Sequence, residues 1–233
     1  MSAVNMIEKL KAYDTPTICN ALEIVDPARR LVGFTTRPLV CPFPDLPPLV
    51  GYARTAMIRA THAHELSAKD AKAQRVAYYE YIASGGPAPS MIVIQDLDGG
   101  EAGYGAFWGE VQSAVHKGLG AAGVITDGCI RDIPQWAPGL GVLAGTIAPS
   151  HAHVHLAGFG SEVRVAGMVV RSGDIVHADR HGAVVIPKDY VEKIPAACDL
   201  LARKEAVILD MARAPGFTIE KLKDALKKQD EIH

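Results

Sequence analysis

The 233-residue sequence lacks the features that would assign a chain at a glance. Its formal net charge is −2, so the basic surplus that marks a nucleic-acid footprint is missing. No apolar run approaches the ~18 residues of a membrane span. The opening residues, MSAVNMIEKLKAYD, are polar and interrupted, unlike a secretory signal, and a cytosolic protein is expected. Cysteine is scarce: positions 19, 41, 129 and 198 form no C-x-x-C pair and fit no zinc spacing. Free, buried thiols are expected. Cys129 lacks a neighbouring base in sequence, which argues against a nucleophile. The glycines of Gly99-Gly100-Glu101-Ala102-Gly103 do not make G-x-G-x-x-G, so a dinucleotide loop is excluded. There is no internal repeat, low-complexity tract or dividing linker, and residues 1–233 read as one domain with a core of about 15–187.

What is present is a mix of 48% hydrophobic and 21% charged residues, enough for a real core. The local signals predict helix over 5–12 with Asn5 as cap, and again from Thr15-Pro16 to Ile24. A proline-rich stretch, 26–50, reads as irregular chain with one short strand at Leu31 to Phe34. Gly51 to Ala60 alternates as a strand does. Ser67 opens a helix to Ala83, stopped by Ser84-Gly85-Gly86-Pro87. Met91 to Ile94 is a continuous apolar run, the mark of a strand covered on both faces. Val124 to Thr126 and Gly141 to Ala144 repeat that mark, with a helix from Glu110 to Gly118 ahead of them. The alternation predicts α/β units with a parallel component. Beyond Glu162, short apolar runs at 163–165, 168–170, 174–176 and 183–186 predict a meander or barrel-like β segment. Asp189 with Glu192 is expected to cap a long helix to Arg213, and Thr218 to open a last one to Lys228.

Chemistry concentrates between Gly103 and Gln135. Glycines at 103, 105 and 109 permit close approach of a ligand to the backbone. A helix beginning at Glu110 presents the free amides of Gly109, Glu110, Val111 and Gln112, a ready anion site. Twenty residues separate Glu110 from Arg131, enough for a helix, a turn and a strand that return to the start. Arg131 offers a fixed fork of donors for a carboxylate or an enolate oxygen. Asp132 is a hard oxygen ligand, and with Glu110 nearby it suits Mg²⁺ or Mn²⁺ held mostly through water. The bland alternative is that Arg131 and Asp132 are a cap charge and a surface ion pair. The histidines at 151, 153 and 155 read as loop or solvated strand. His62 and His64 read the same way, with lining a pocket mouth and choosing the substrate as the alternative. Tyr78, Tyr79 and Tyr81 fall in a helix and read as packing or interface.

Trp108-Gly109-Glu110, a spacer, then Gly123-Val124-Ile125-Thr126-Asp127-Gly128-Cys129-Ile130-Arg131-Asp132 resembles the RraA-like family. That family includes the 4-hydroxy-4-methyl-2-oxoglutarate / 4-carboxy-4-hydroxy-2-oxoadipate aldolases and regulators of ribonuclease E. The similarity continues through Val169 to Asp179, Gly182 to Pro187 and Lys204-Glu205-Ala206, and covers about 15–215. It implies an α/β fold, a three-layer β/β/α swivelling domain with flanking N- and C-terminal helices. It implies a homotrimer or dimer of trimers with residues 188–233 at the subunit interface. It implies a divalent-metal-dependent class II aldolase releasing pyruvate from a 4-hydroxy-2-oxo dicarboxylic acid, with oxaloacetate decarboxylation as a side activity; the alternatives are a ribonuclease-regulator-like binding protein without catalysis, and a lyase or hydrolase acting on another small oxo acid at the same metal site. By the same resemblance the backbone of Gly109 to Gln112 and Arg131 bind substrate, Asp132 ligates Mg²⁺ or Mn²⁺, Glu110 sits just beyond the metal, and Glu205 reaches a neighbouring subunit's site. The aldolases have an acid where this chain has Gln135, and Ser172 replaces their usual proline.

Overall fold

The computed structural model describes residues 3–233. In chain order the strands are β1 (Leu49–Arg59), β2 (Ser90–Asp96), β3 (Ala106–Trp108), β4 (Ala121–Thr126), β5 (Cys129–Ile130), β6 (Gly141–Leu143), β7 (Thr146–Ile147), β8 (His155–Phe159), β9 (Val163–Val165), β10 (Met168–Val170), β11 (Ile175–Asp179) and β12 (Gly182–Ile186). The helices are α1 (Ala3–Leu10), α2 (Thr15–Val25), α3 (Ala68–Ser84), α4 (Glu110–Gly118), α5 (Ile194–Arg213) and α6 (Ile219–Asp230).

A seven-stranded sheet runs β12-β11-β1-β2-β4-β6, with β8 as its seventh strand, paired to β1. Its centre, β1-β2-β4-β6, is parallel. Strand β1 is long enough to use one edge twice: residues 49–52 pair with β11 and residues 56–59 with β8, both antiparallel. Because successive side chains of a strand point to opposite faces, the apolar run of β2 divides. Ile92 and Ile94 pack with Tyr78 and Ile82 of α3 and with Trp108 and Trp136. Met91 and Val93 pack with Val163, Val165, Met168 and Val170 of the β9–β10 hairpin. Helix, sheet and hairpin are the three layers expected from the sequence. A further core joins α1, α2 and α5 to the β11–β12 end of the sheet through Leu10, Ile18, Leu22, Val184, Ile186 and Ile194.

Several local expectations change. The first helix starts at Ala3, so Asn5 lies inside it. Asp14, not Thr15, caps α2: its carboxylate accepts the Thr17 amide at 2.9 Å, while the Thr15 hydroxyl is committed to His177 at 3.0 Å. Residues 27–31 form a 3₁₀ turn, and the expected strand at 31–34 reduces to one bridge, Phe34 to Val184. The segment after Glu162 is not a separate meander: β9–β10 stays a two-stranded hairpin, and β11–β12 joins the main sheet. Helix α5 begins at Ile194, with Pro195 in its first turn and no side-chain cap, so Asp189 and Glu192 precede it in turns. Ser67 and Thr218 do cap their helices, accepting the amides of Asp70 and Lys221. The cysteines are free, with Cys129 and Cys198 buried but Cys19 and Cys41 only half-buried. No helix among the described residues is long and apolar enough to cross a membrane.

Candidate active site

A small parallel sheet, β3-β5-β7, builds the site. Trp108 of β3 pairs with Ile130 of β5, and the Arg131 amide donates to the Trp108 carbonyl at 3.0 Å. The residues following each strand are thereby brought side by side: Gly109-Glu110 at the start of α4, and Arg131-Asp132. Both strands are anchored by burial, since Trp108, Cys129 and Ile130 have no exposed surface.

Asp132 stands in the left-handed region, φ 54° and ψ 39°, costly for a residue with a side chain although Asp tolerates it better than most. The turn is fixed by the Gln135 amide donating to the Asp132 carbonyl at 3.0 Å. The conformation aims the Asp132 carboxylate at the positive end of α4. Its Oδ2 accepts the Glu110 amide at 3.3 Å and lies 3.6 Å from Arg131 Nε. Oδ1 has no hydrogen-bond partner among the described residues. The two side chains are each 37% exposed, so their attraction is solvent-screened and stabilises the fold little.

The first turn of α4 is held from below. His116 is fully buried, its ring centroid 4.5 Å from that of Trp108. Its Nδ1–H donates to the Gln112 carbonyl at 2.7 Å, so Nε2 accepts from the Tyr78 hydroxyl at 2.8 Å. Burial pushes the His116 pKa down to about 4, against a smaller opposing effect of the Gln112 carbonyl. Tyr79 donates to Gln112 Oε1 at 3.0 Å, and the Ser113 hydroxyl accepts the Ala137 amide at 3.1 Å. Tyr78 and Tyr79 therefore pack, as expected, but they also brace the first turn of α4.

These parts open onto a cleft of about 420 Å³. Gly109, Glu110, Val111, Gln112, Arg131 and Asp132 all line it, so the six residues nominated from this stretch share one cavity. Glu205 does not: it is exposed on α5, outside its own chain's cleft. Gln135 is exposed and does not line the cleft. Asp127, at the end of β4, faces a different cavity together with Asp96, Arg37 and Arg164, and burial raises both carboxyl pKa values. Burial pushes the Cys129 thiol up to about 11, against any role as a nucleophile.

The far side of the cleft brings His64, whose alternative reading is a pocket mouth, together with residues given no place in a site from the sequence. Gln74 and Arg75 of α3 line it, with His64, His151 and His155. His62 belongs to an adjoining cavity of about 610 Å³, which shares His64 and His155 with the cleft. The 151–154 segment is loop, as expected, and β8 begins at His155. The available signals were the repeated His-x-His spacing and a helix face carrying Gln74 and Arg75.

Among the described residues no group of three or more His, Cys, Asp or Glu side chains could enclose a metal. The donor set is one carboxylate with a free oxygen, Asp132, and Glu110 beside it. That fits Mg²⁺ or Mn²⁺ bound largely through water and substrate oxygens, and does not fit zinc in a protein cage.

Comparison with known proteins identifies the family and the fold. A protein of Methanocaldococcus jannaschii, itself uncharacterized, is 33% identical over 105 residues, covering 44% of this chain; the chain spans about half (50%) of that relative's length. An uncharacterized protein from Pseudomonas syringae pv. tomato has the same fold, with a TM-score of 0.72 at 18% identity over 96% of this chain and 94% of that one. The fold also matches Streptomyces coelicolor RraAS2, described as an unusual member of the RNase ES inhibitor RraA protein family. There the TM-score is 0.67 at 21% identity, over 88% of this chain and 96% of that one. The family model for RraA-like proteins, Aldolase/RraA, matches residues 15–185 and so includes the whole Gly109–Asp132 constellation: this chain belongs to the RraA-like family.

Proposed function

We propose that this chain is a divalent-metal-dependent carbon–carbon lyase that cleaves a 4-hydroxy-2-oxo dicarboxylic acid and releases pyruvate. Oxaloacetate decarboxylation is the side activity that follows, because it passes through the same enolate. The observation that carries the reading is the meeting of a helix start, the Arg131 fork and the Asp132 carboxylate in one cleft. Asp132 already takes the Glu110 amide. The amides of Val111 and Gln112, which a first helical turn leaves unpaired, remain for the substrate carboxylate. Arg131 holds the 2-oxo oxygen and then the charge that develops there as the enolate forms. Mg²⁺ or Mn²⁺ at Asp132 supplies a Lewis acid for the 2-oxo group when bound. Glu110, exposed at the helix start, orders water around that cation site. No Schiff-base lysine is required.

The same reading takes the molecule as a homotrimer or dimer of trimers, with Glu205 serving a neighbouring copy's cleft; light scattering tests the assembly. A binding role without catalysis, of the kind named for the Streptomyces coelicolor structure, is the alternative. One assay separates them: coupled pyruvate detection with 4-hydroxy-4-methyl-2-oxoglutarate and with oxaloacetate, with Mg²⁺ or Mn²⁺ and then with EDTA. Pyruvate that depends on metal supports the lyase, and its absence with both substrates removes it.

A further inference from the structure

Three imidazoles line the cleft, and their hydrogen bonds set them apart. His64 is fully committed. Its Nδ1 accepts the Leu66 amide at 2.9 Å, so the proton is on Nε2, which donates to Gln74 Oε1 at 3.3 Å. His155 is the reverse. Its partner at 2.7 Å is the His153 carbonyl, which can only accept, so Nδ1 carries the proton. The lone pair is then on Nε2, and that atom has no partner among the described residues. His151 has the same tautomer, its Nδ1–H on the Ala152 carbonyl at 2.7 Å, but it is exposed and makes no ring contact.

His155 is also the one held still. It is half-buried, opens β8, and pairs in register with Arg59 of β1. Its ring lies against that of His64, centroids 4.4 Å apart. The loop before it is pinned: the Ala106 amide donates to the Ser150 carbonyl at 2.9 Å, and the His153 amide to the Ala60 carbonyl at 3.1 Å. Ala152 sits at φ 44°, a strained conformation for alanine. Glycine is required at 105 because a Cβ there would stand 2.6 Å from the His151 carbonyl. An imidazole that lines a cleft with one nitrogen tied to a carbonyl and the other without a partner among the described residues is arranged as a proton acceptor.

Resting on the lyase reading, we infer that His155 is the base for the substrate's C4 hydroxyl. Nε2 takes the hydroxyl proton, and the O–H electron pair becomes the second bond of a new carbonyl at C4. The C3–C4 bond breaks, and its pair forms the C2–C3 double bond of the enolate, whose oxygen faces Arg131. The proton held on Nε2 then goes to C3, giving pyruvate and restoring neutral imidazole. Arg75, Glu110, Arg131 and Asp132 are the charged groups that share this cleft.

Decarboxylation of oxaloacetate reaches the same enolate by losing CO₂ and has no hydroxyl to deprotonate; neutral His155 then holds no proton on Nε2, so the enolate takes its C3 proton from water. The two reactions therefore divide on His155. In His155→Gln, pyruvate release from 4-hydroxy-4-methyl-2-oxoglutarate should fall roughly 100- to 10,000-fold in kcat, the range for a lost general base. Oxaloacetate decarboxylation should stay within about threefold, which also certifies a folded site. If both activities fall together, His155 shapes the cleft and is not the base. If neither falls, the inference is equally wrong. Wild-type protein inactive on both substrates would instead remove the lyase reading, and this inference with it.

Discussion

A Cβ placed on Gly109 would stand 2.5 Å from Asp132 Oδ2 and 3.3 Å from Arg131 Cγ. The backbone of Gly109, φ −168°, is ordinary extended chain, so glycine is needed here for space alone. Gly109→Ala should push the Asp132 carboxylate off the start of α4. Overpacking of this kind costs about 1–3 kcal/mol, and displacement of a reactive group by ~1 Å costs about 100-fold in rate. Melting should shift by only a few degrees while metal-dependent pyruvate release drops by that factor. Unchanged turnover would show that Asp132 does not need its present position.

Asp132→Ala should make pyruvate release the same with Mg²⁺ as with EDTA. Arg131→Ala should lower kcat roughly 100-fold, the loss typical of one oxyanion donor, and raise KM for the oxo acid. Lysine at 131 should restore little, because a point charge lacks the planar fork. Steady-state kinetics on both variants checks the two roles independently.

His116 makes stability depend on pH in a definite direction. Its folded pKa is lowered to about 4 from 6.5, so between those values the unfolded chain takes up a proton that the folded chain refuses. Its contribution is complete above the unfolded value and is lost as pH falls toward 4, by up to about 3 kcal/mol. His177, also lowered by burial, acts the same way, whereas Asp96 and Asp127, with raised pKa values, act oppositely. Urea unfolding of wild type and His116→Gln at pH 7 and pH 4.5 isolates the one residue. The gap between them should narrow at the lower pH, and a constant gap would mean that His116 takes up its proton as readily in the fold as in the unfolded chain.

Cys129 lies three residues from Asp132 and invites a nucleophilic role that its burial denies. Cys129→Ala should retain turnover within about threefold and cost around 1 kcal/mol from the lost packing. Thiol titration of the native protein should label Cys19 or Cys41 before it.

The parts of this fold that were readable from sequence are those determined by neighbours in the chain. The runs Met91–Ile94 and Val124–Thr126 announce buried strands by composition, and Ser67 and Thr218 cap helices through bonds to amides three residues on. The Gly109–Asp132 constellation was legible because a helix start and a strand end are both local signals. Strands β3, β5 and β7, two or three residues each, carry no period that a sequence can display; pairing creates them. The place of His155 in the cleft was hidden for a related reason. His155 reaches the site only because β8 pairs with β1, nearly a hundred positions earlier in the chain. The shift of the α2 cap to Asp14 likewise depends on distant His177.

The double use of one edge of β1 bears on how the molecule is made on the ribosome. Residues 49–143 supply the whole parallel centre, β1-β2-β4-β6, before either antiparallel neighbour of β1 has been synthesised. Until residues 155–159 and 175–179 emerge, eleven residues of apolar strand stand with one row of amides and carbonyls unpaired. Such an edge recruits other chains. A nascent chain stalled between residues 143 and 155 is therefore the stage most exposed to misassembly, and it already carries His64, Arg131 and Asp132 of the cleft without His155.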